Sequence, residues 1–274
     1  SIAMSCQACG REGRLRPLPC RTMDLADAAA AFAAMARGGH VGKVVLTVDH
    51  DRLTAPPAGT PSYAADPERG YVVTGGVRGF GLKLAEWLVA SGARKLALIG
   101  RSGRVQEDQV ATVEALRDRG ADILVLGADA GDRAALRSAL DAARRRFGRI
   151  GGVVHAAATY SDRLLVDDTP ENLALVYDSK ATAAWHLHEL TLDDPIELFL
   201  MTSSMSAILG GVGQTGYSAA NAFLDGLARF RAAAGLPATS VNLDPITDTG
   251  YMSRDQLIAD YLRALGFEGV SSEA

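Results

Sequence analysis

The sequence predicts an α/β fold, a doubly wound parallel sheet with helices on both faces. From Gly70 onward, short β-rich runs alternate with longer helical runs. Six such strands separated by five helices require crossover connections, which only a parallel sheet with both faces covered accommodates. Apolar residues make up 48% of the 274, enough to fill one large core. In chain order the strands fall at 71–74 (Tyr-Val-Val-Thr), 95–99, 122–126, 152–155 (Gly-Val-Val-His), 197–201 and 239–243. The helices fall at 81–91, 106–119, 132–147, 170–190 and 215–234. The run Arg144-Arg145-Arg146 sits near a helix C-terminus, where solvated cations suit the dipole.

Upstream the pattern differs. Residues 1–50 end in an Ala-rich helical stretch at 24–37, a Gly38-Gly39 stop and a strand at 43–48. Residues 51–69 read as a linker, because Pro56-Pro57, Pro61 and Pro67 stand among small polar residues that resist both helix and sheet. The chain is therefore expected to divide into 1–50, a linker at 51–69, and a main domain at 70–274.

Composition excludes several classes. Twenty-eight basic against 32 acidic residues, net charge −4, give no electrostatic footprint for nucleic acid. The most apolar stretch, 25–36, is too short for a bilayer and is interrupted by Asp27, so no membrane partner is expected. The arginines at 11, 14 and 16 precede no signal-peptide core. All three cysteines, Cys6, Cys9 and Cys20, lie in the first twenty residues, which favours a reducing compartment and a cytoplasmic location. Cys6-x-x-Cys9 is half a zinc pattern with no second pair, so no metal is expected.

The first strand of the main domain runs straight into Thr74-Gly75-Gly76-Val77-Arg78-Gly79-Phe80-Gly81 and then a helix. Glycines let the backbone turn tightly and approach a pyrophosphate, and the helix N-terminus offers unpaired N–H groups to the anion. A Rossmann-type sheet is the context that gives this string meaning. An NAD-binding unit places an acidic residue about twenty positions on, for the ribose 2′-hydroxyl. That position is occupied by Arg101, followed by Ser102, which suits a 2′-phosphate and favours NADPH.

At the other end of the alternation, Ser203-Ser204 closes the fifth strand, and Tyr217 and Asn221 share one face of the next helix. Strand ends at the carboxyl edge of such a sheet face the cofactor crevice, so Ser204 and Tyr217 can converge there. Hydride delivery to a ketone builds negative charge on oxygen, which needs a proton donor and a second hydrogen bond. Tyr217 is the expected donor and Ser204 the second contact. Lys180, the only lysine after Lys95, is expected to lower the Tyr217 pKa.

These stretches resemble the short-chain dehydrogenase/reductase superfamily, and more closely the ketoreductase domains of type I polyketide and fatty acid synthases. The likeness covers about residues 70–255 and rests on Thr74–Gly81, His155-Ala156-Ala157-Ala158, residues 180–190, and the run from Gly213 to Asp225 that contains Tyr217-Ser218-Ala219-Ala220-Asn221. Most of the superfamily carries lysine four residues after the tyrosine, whereas here Lys180 precedes and Asn221 follows, as in synthase ketoreductases. The resemblance implies that Lys180 orients the nicotinamide ribose, that Asn221 supports the site and a proton-relay water, that Asp129-Ala130 contacts adenine, and that Ala156-Ala157 lies along the cofactor. It also implies a β-ketoacyl substrate on an acyl carrier protein and neighbouring synthase domains, among them a non-catalytic ketoreductase half outside this chain.

Residues 24–48 resemble the closing segment of a medium-chain enoylreductase, the domain that precedes the ketoreductase in fully reducing modules. The chain departs from the family at Val77-Arg78, at Ala158 where glycine is usual, and at Tyr160-Ser161-Asp162 where many relatives have Leu-Asp-Asp. Asp162 is kept, and Leu209 replaces the tryptophan of the opposite stereochemical class. With Gln214 beside the helix start, this favours the D-3-hydroxy product. Residues 242–246 resemble the loop beside the nicotinamide, 251–259 are expected to cover the substrate, and the helical pattern at 256–265 implies that the natural chain continues. Two other readings remain at this stage, a catalytically silent nucleotide-binding scaffold and a free-standing reductase of small ketones.

Overall fold

A computed structural model describes residues 18–38, 40–48, 63–246 and 269–272. The Cys6-x-x-Cys9 pair, most of the proline-rich stretch and the expected substrate cover at 251–259 lie outside the described residues. The chain divides into two units, Ser1–Ser62 and Tyr63–Ala274.

In the first unit, strand β1 (Cys20–Asp24) pairs in parallel with β2 (Lys43–Thr47), and helix α1 (Ala28–Ala36) makes the crossover. A 3₁₀ turn at Leu25–Asp27 precedes the helix, with the Asp24 carboxylate accepting from Ala26 N–H. Strand β1 has no counterpart in the sequence reading; its residues form a strand because β2 offers partners from Lys43 through Thr47. Among the described residues of this unit only Ala31 is buried.

The second unit is a six-stranded parallel sheet. Its strands are β3 (Gly70–Thr74), β4 (Lys95–Gly100), β5 (Asp122–Gly127), β6 (Ile150–His155), β7 (Leu198–Ser204) and β8 (Thr239–Leu243). Their spatial order is β5-β4-β3-β6-β7-β8, all parallel, so the order reverses between β3 and β6. Open α/β sheets bind ligands at that switch point, beyond the strand carboxyl ends. Side chains alternate between faces. Val72, Ile99 and Val153 pack on one face against Leu140, Leu187 and Leu224. Tyr71, Leu98 and Val154 pack on the other against Leu82, Leu88 and Leu116.

The covering helices are α2 (Gly79–Ala90), α3 (Val110–Asp118), α4 (Arg133–Phe147), α5 (Pro170–Tyr177), α6 (Ala183–Leu190), the short α7 (Ser206–Leu209) and α8 (Thr215–Ala233). Asp132 caps α4 by accepting from Ala134 and Ala135 N–H, and Thr169 caps α5 with Pro170 at the first helical position.

Three boundaries differ from the sequence reading for identifiable reasons. The unit begins at Tyr63, inside the stretch read as linker, because Tyr63 stacks on Trp87, Ala65 N–H bonds Ser91 O, and Asp66 N–H bonds the Tyr71 hydroxyl. Strand β7 runs on to Ser204, because Thr202 to Ser204 pair with Val241 to Leu243. The single helix expected over 170–190 is interrupted by a π-helical turn at Asp178–Thr182. Such turns concentrate at functional sites, and this one contains Lys180.

Candidate active site

The β3–α2 turn lies at the switch point. Gly75 has φ +74°, and a Cβ there would meet Ala156 O at 2.7 Å; a Cβ on Gly81 would meet Gly75 O at 2.3 Å. Side chains at either position would push α2 off the strand end. Arg78 precedes α2 in extended backbone and its side chain caps nothing, so the first amides of the helix stay open to an anion.

A cleft of about 710 Å³ opens in front of this turn. Gly75, Val77, Arg78, Gly79, Phe80 and Gly81 line it, joined by Arg101 and Ser102 from the end of β4. Asp129 and Ala130 after β5, and Ala156 and Ala157 after β6, complete the wall. Gly76 shapes the turn instead of the wall, since a Cβ there would meet Val73 O at 2.8 Å. The carboxylates nearby are engaged locally: Asp129 accepts from Gly131 N–H, Asp132 caps α4, and Asp178 accepts from the Thr182 hydroxyl. Among the described residues neither Arg78 nor Arg101 is in an ion pair, so the cleft presents two guanidinium groups and a row of amides. That donor set fits the phosphates of a dinucleotide.

Tyr160 and Ser179 are part of the cleft lining, and they connect it to the expected catalytic residues, Tyr160 through its ring beside Tyr217 and Ser179 as the chain neighbour of Lys180. The Tyr160 ring lies 5.2 Å from that of Tyr217. Burial raises the Tyr217 pKa; polar contacts with Tyr160, Asn221 and Ser204 pull it partly back, and Asp162 adds a smaller upward push. Ser204 thus reaches the Tyr217 phenol from the end of β7, while its Oγ accepts from Ser206 N–H at 3.1 Å. The Asn221 amide donates to Tyr217 O at 2.8 Å, one turn back on α8, and its buried Oδ1 has no partner within the protein. A buried acceptor left without a donor calls for a partner that the protein itself does not supply.

Lys180 is 2% exposed. Its Nζ donates to Thr202 O at 2.6 Å and lies 5.6 Å from the centre of the Tyr217 ring. Burial brings its pKa down to about 7, opposed by the Asp225 carboxylate. Lys180 is not among the groups that shift the Tyr217 pKa here, so the expectation that it makes Tyr217 more acidic finds no support in this geometry. The ammonium faces a carbonyl and the ring's face, and burial of the phenol dominates, so the Tyr217 pKa goes up.

Asp162 and Gln214 meet at the rim, where the Gln214 amide donates to Asp162 at 3.0 Å and Arg163 N–H bonds Gly213 O at 2.8 Å. The loop after β6 is thereby strapped to the start of α8.

Sequence reasoning missed two groups here. Asn242 on β8 donates to Ser204 O at 3.1 Å, Ser203 Oγ at 3.2 Å and Asp225 at 2.9 Å, which ties the end of β7 to α8. His155 is fully buried between Thr74 and Lys180. A buried histidine at the end of one strand and an asparagine on another carry no motif of their own, apart from lying inside the resembling stretches. Among the described residues no helix is long and apolar enough to cross a membrane, and no cluster of three metal-ligating side chains occurs.

Comparison with known proteins agrees with the fold. The family model for the KR domain matches residues 70–248, and that for a zinc-binding dehydrogenase matches residues 6–46. The chain is 40% identical over 265 residues, 95% of its length, to the spectinabilin polyketide synthase system protein NorB of Streptomyces orinoci, of which it spans 12%. Among solved structures, an A-type ketoreductase from a modular polyketide synthase matches 80% of this chain and 46% of that one, with TM-score 0.72 and 35% identity. A short-chain dehydrogenase from Burkholderia cenocepacia in complex with NADP matches 72% of this chain and 82% of that one, with TM-score 0.63 and 26% identity. With its switch-point cleft and a matching family model over most of its length, the chain belongs to the ketoreductase (KR) domain family.

Proposed function

We propose that this chain reduces a β-ketoacyl thioester, carried on an acyl carrier protein, to the 3-hydroxyacyl thioester with NADPH. The observation that carries this reading is the meeting of Tyr217, Ser204, Asn221 and Lys180 at the end of a cleft whose donors fit a dinucleotide. When bound, NADPH supplies the hydride that adds to the carbonyl carbon. Tyr217 gives its phenolic proton to the carbonyl oxygen, and the Ser204 hydroxyl donates a hydrogen bond to the same oxygen as charge develops there. A raised pKa keeps the Tyr217 phenol protonated at neutral pH, the state a donor needs. Lys180 holds the ribose side of the site, and the Asn221 Oδ1 takes a relay water that restores the proton to Tyr217.

The amides from Gly75 to Gly81 hold the pyrophosphate, and Arg101 with Ser102 holds the 2′-phosphate. Arg101→Asp removes charge-assisted hydrogen bonds and adds a carboxylate suited to a free 2′-hydroxyl. The NADPH Kd should then rise about 10- to 100-fold, with a smaller change for NADH, as read by fluorescence titration. Equal weakening of both nucleotides would remove Arg101 from the 2′-phosphate.

Retention of Asp162, bonded to Gln214, and Leu209 in place of tryptophan support a D-3-hydroxy product. Chiral chromatography of the hydroxyacyl product should return the D enantiomer; the L enantiomer would overturn that assignment. Residues 1–50 are read as the closing segment of an enoylreductase domain, in line with the zinc-binding dehydrogenase match. The partners that follow are neighbouring synthase domains and a structural ketoreductase half outside this chain. Faster NADPH oxidation with a carrier-bound ketoacyl chain than with free small ketones tests the substrate class, and the reverse preference would favour an independent small-ketone reductase.

A further inference from the structure

We propose that His155 is a positioning residue for Lys180, and that its imidazole holds the π-helical turn in the one backbone arrangement that places the ammonium beneath the Tyr217 ring. The inference rests on the reductase reading for its kinetic consequences and on the hydrogen-bond geometry for everything else.

A closed ring of hydrogen bonds links three residues from β6, the π turn and β7. The His155 Nε2 faces Lys180 O at 2.9 Å, Lys180 Nζ donates to Thr202 O at 2.6 Å, and the Thr202 hydroxyl donates to His155 O at 3.2 Å. A carbonyl only accepts, so Nε2 carries the proton and donates to Lys180 O. Nδ1 is then an acceptor, and the Thr74 hydroxyl donates to it at 2.7 Å. Burial brings the His155 pKa down to about 3, with the Lys180 charge adding to the shift, so the ring stays neutral and in this tautomer.

The π turn explains why an imidazole is needed. Ala183 N–H is shared between Asp178 O and Lys180 O, so the regular ladder is broken beside Lys180. Its carbonyl has a lone pair to offer outside the helix, and His155 takes it. Thr74 belongs to the nucleotide cleft wall, so the same ring joins the cofactor strand to the lysine.

His155→Asn keeps a polar atom within reach of Thr74 and loses the reach to Lys180, whereas His155→Gln carries its amide nitrogen towards Lys180. With a short β-ketoacyl thioester, His155→Asn should lower kcat about 10- to 100-fold and leave the KM for NADPH within about threefold. His155→Gln should recover most of that loss. In a Lys180→Met background His155→Asn should cost less than about twofold more, because the two changes then remove one function. Equal losses in both backgrounds, or no rescue by Gln, would overturn the proposal. Amide hydrogen exchange over 178–183 gives a readout without turnover: it should quicken in His155→Asn and stay near wild type in His155→Gln. That pattern between the two variants, found where the wild-type chain lacks reductase activity even with the structural half added, would overturn the reductase reading and support the positioning. No difference in exchange between the two variants would overturn the positioning whatever the activity.

Discussion

Tyr217→Phe lowers kcat for a short β-ketoacyl thioester by about 10²- to 10⁴-fold and leaves NADPH affinity within about twofold. The substitution removes one hydroxyl and keeps the ring, so the face presented to Lys180 and the tilted ring contact with Tyr160 survive. The proton source is lost, together with the hydroxyl's contacts to Tyr160, Asn221 and Ser204. The expected pattern is therefore a fall in kcat with little change in either KM, the mark of an interaction made in the transition state. Retention of more than about a tenth of turnover would mean that another group delivers the proton, the hydroxyls of Tyr160 and Ser204 both being in contact with the phenol. Burial raises the Tyr217 pKa, so the phenol of the cofactor-free protein stays protonated beyond the ordinary tyrosine range. Burial raises the Tyr63 phenol as well, so ultraviolet titration of tyrosinate should find at least two phenols ionising late, and the loss of one of them in Tyr217→Phe would assign it.

Lys180→Met separates activity from stability. Turnover should fall by about 10²-fold or more, since the ammonium beneath Tyr217 disappears. Stability should move the other way as pH falls. The Lys180 pKa is about 7 in the fold, down from its ordinary value because the charge is buried. Between that value and the lysine range the unfolded chain binds more protons than the folded one, so wild-type stability rises with pH through this window. Below about 7 both states are charged and the burial cost is present in full. The variant carries no such cost, so its Tm relative to wild type should climb as pH drops from 10 to 7 and level off below. A Tm difference independent of pH would show that the lysine is already solvated or paired in the folded protein.

Much of the second unit was legible in the sequence. The strand runs at 71–74, 95–99 and 122–126 are rich in aliphatic residues, as befits strands of a sheet covered on both faces, and each lies within an observed strand. The glycine string was legible for the same local reason: Gly75 adopts a positive φ and Gly81 has no room for a Cβ, demands that single residues meet by themselves. Tyr217 and Asn221 lie four residues apart on one helix, so periodicity alone set them on one face. Strand β1 was not legible, because its pairing with β2 comes from residues more than twenty positions away.

By itself, then, the sequence determined the alternation of strands and helices, the glycine turn and the helical register of Tyr217 with Asn221. Each depends on steric demands or spacing within a few residues. Tertiary structure alone decided the direction of the Tyr217 shift, the target of the Lys180 ammonium and the place of His155. A pKa is set by everything packed around the group: here burial outweighs the polar contacts of Tyr217, and Thr202 O, brought in by β7, takes the lysine. The π turn arises where a carbonyl from residues 178–182 meets an imidazole from β6, and no local pattern encodes that meeting.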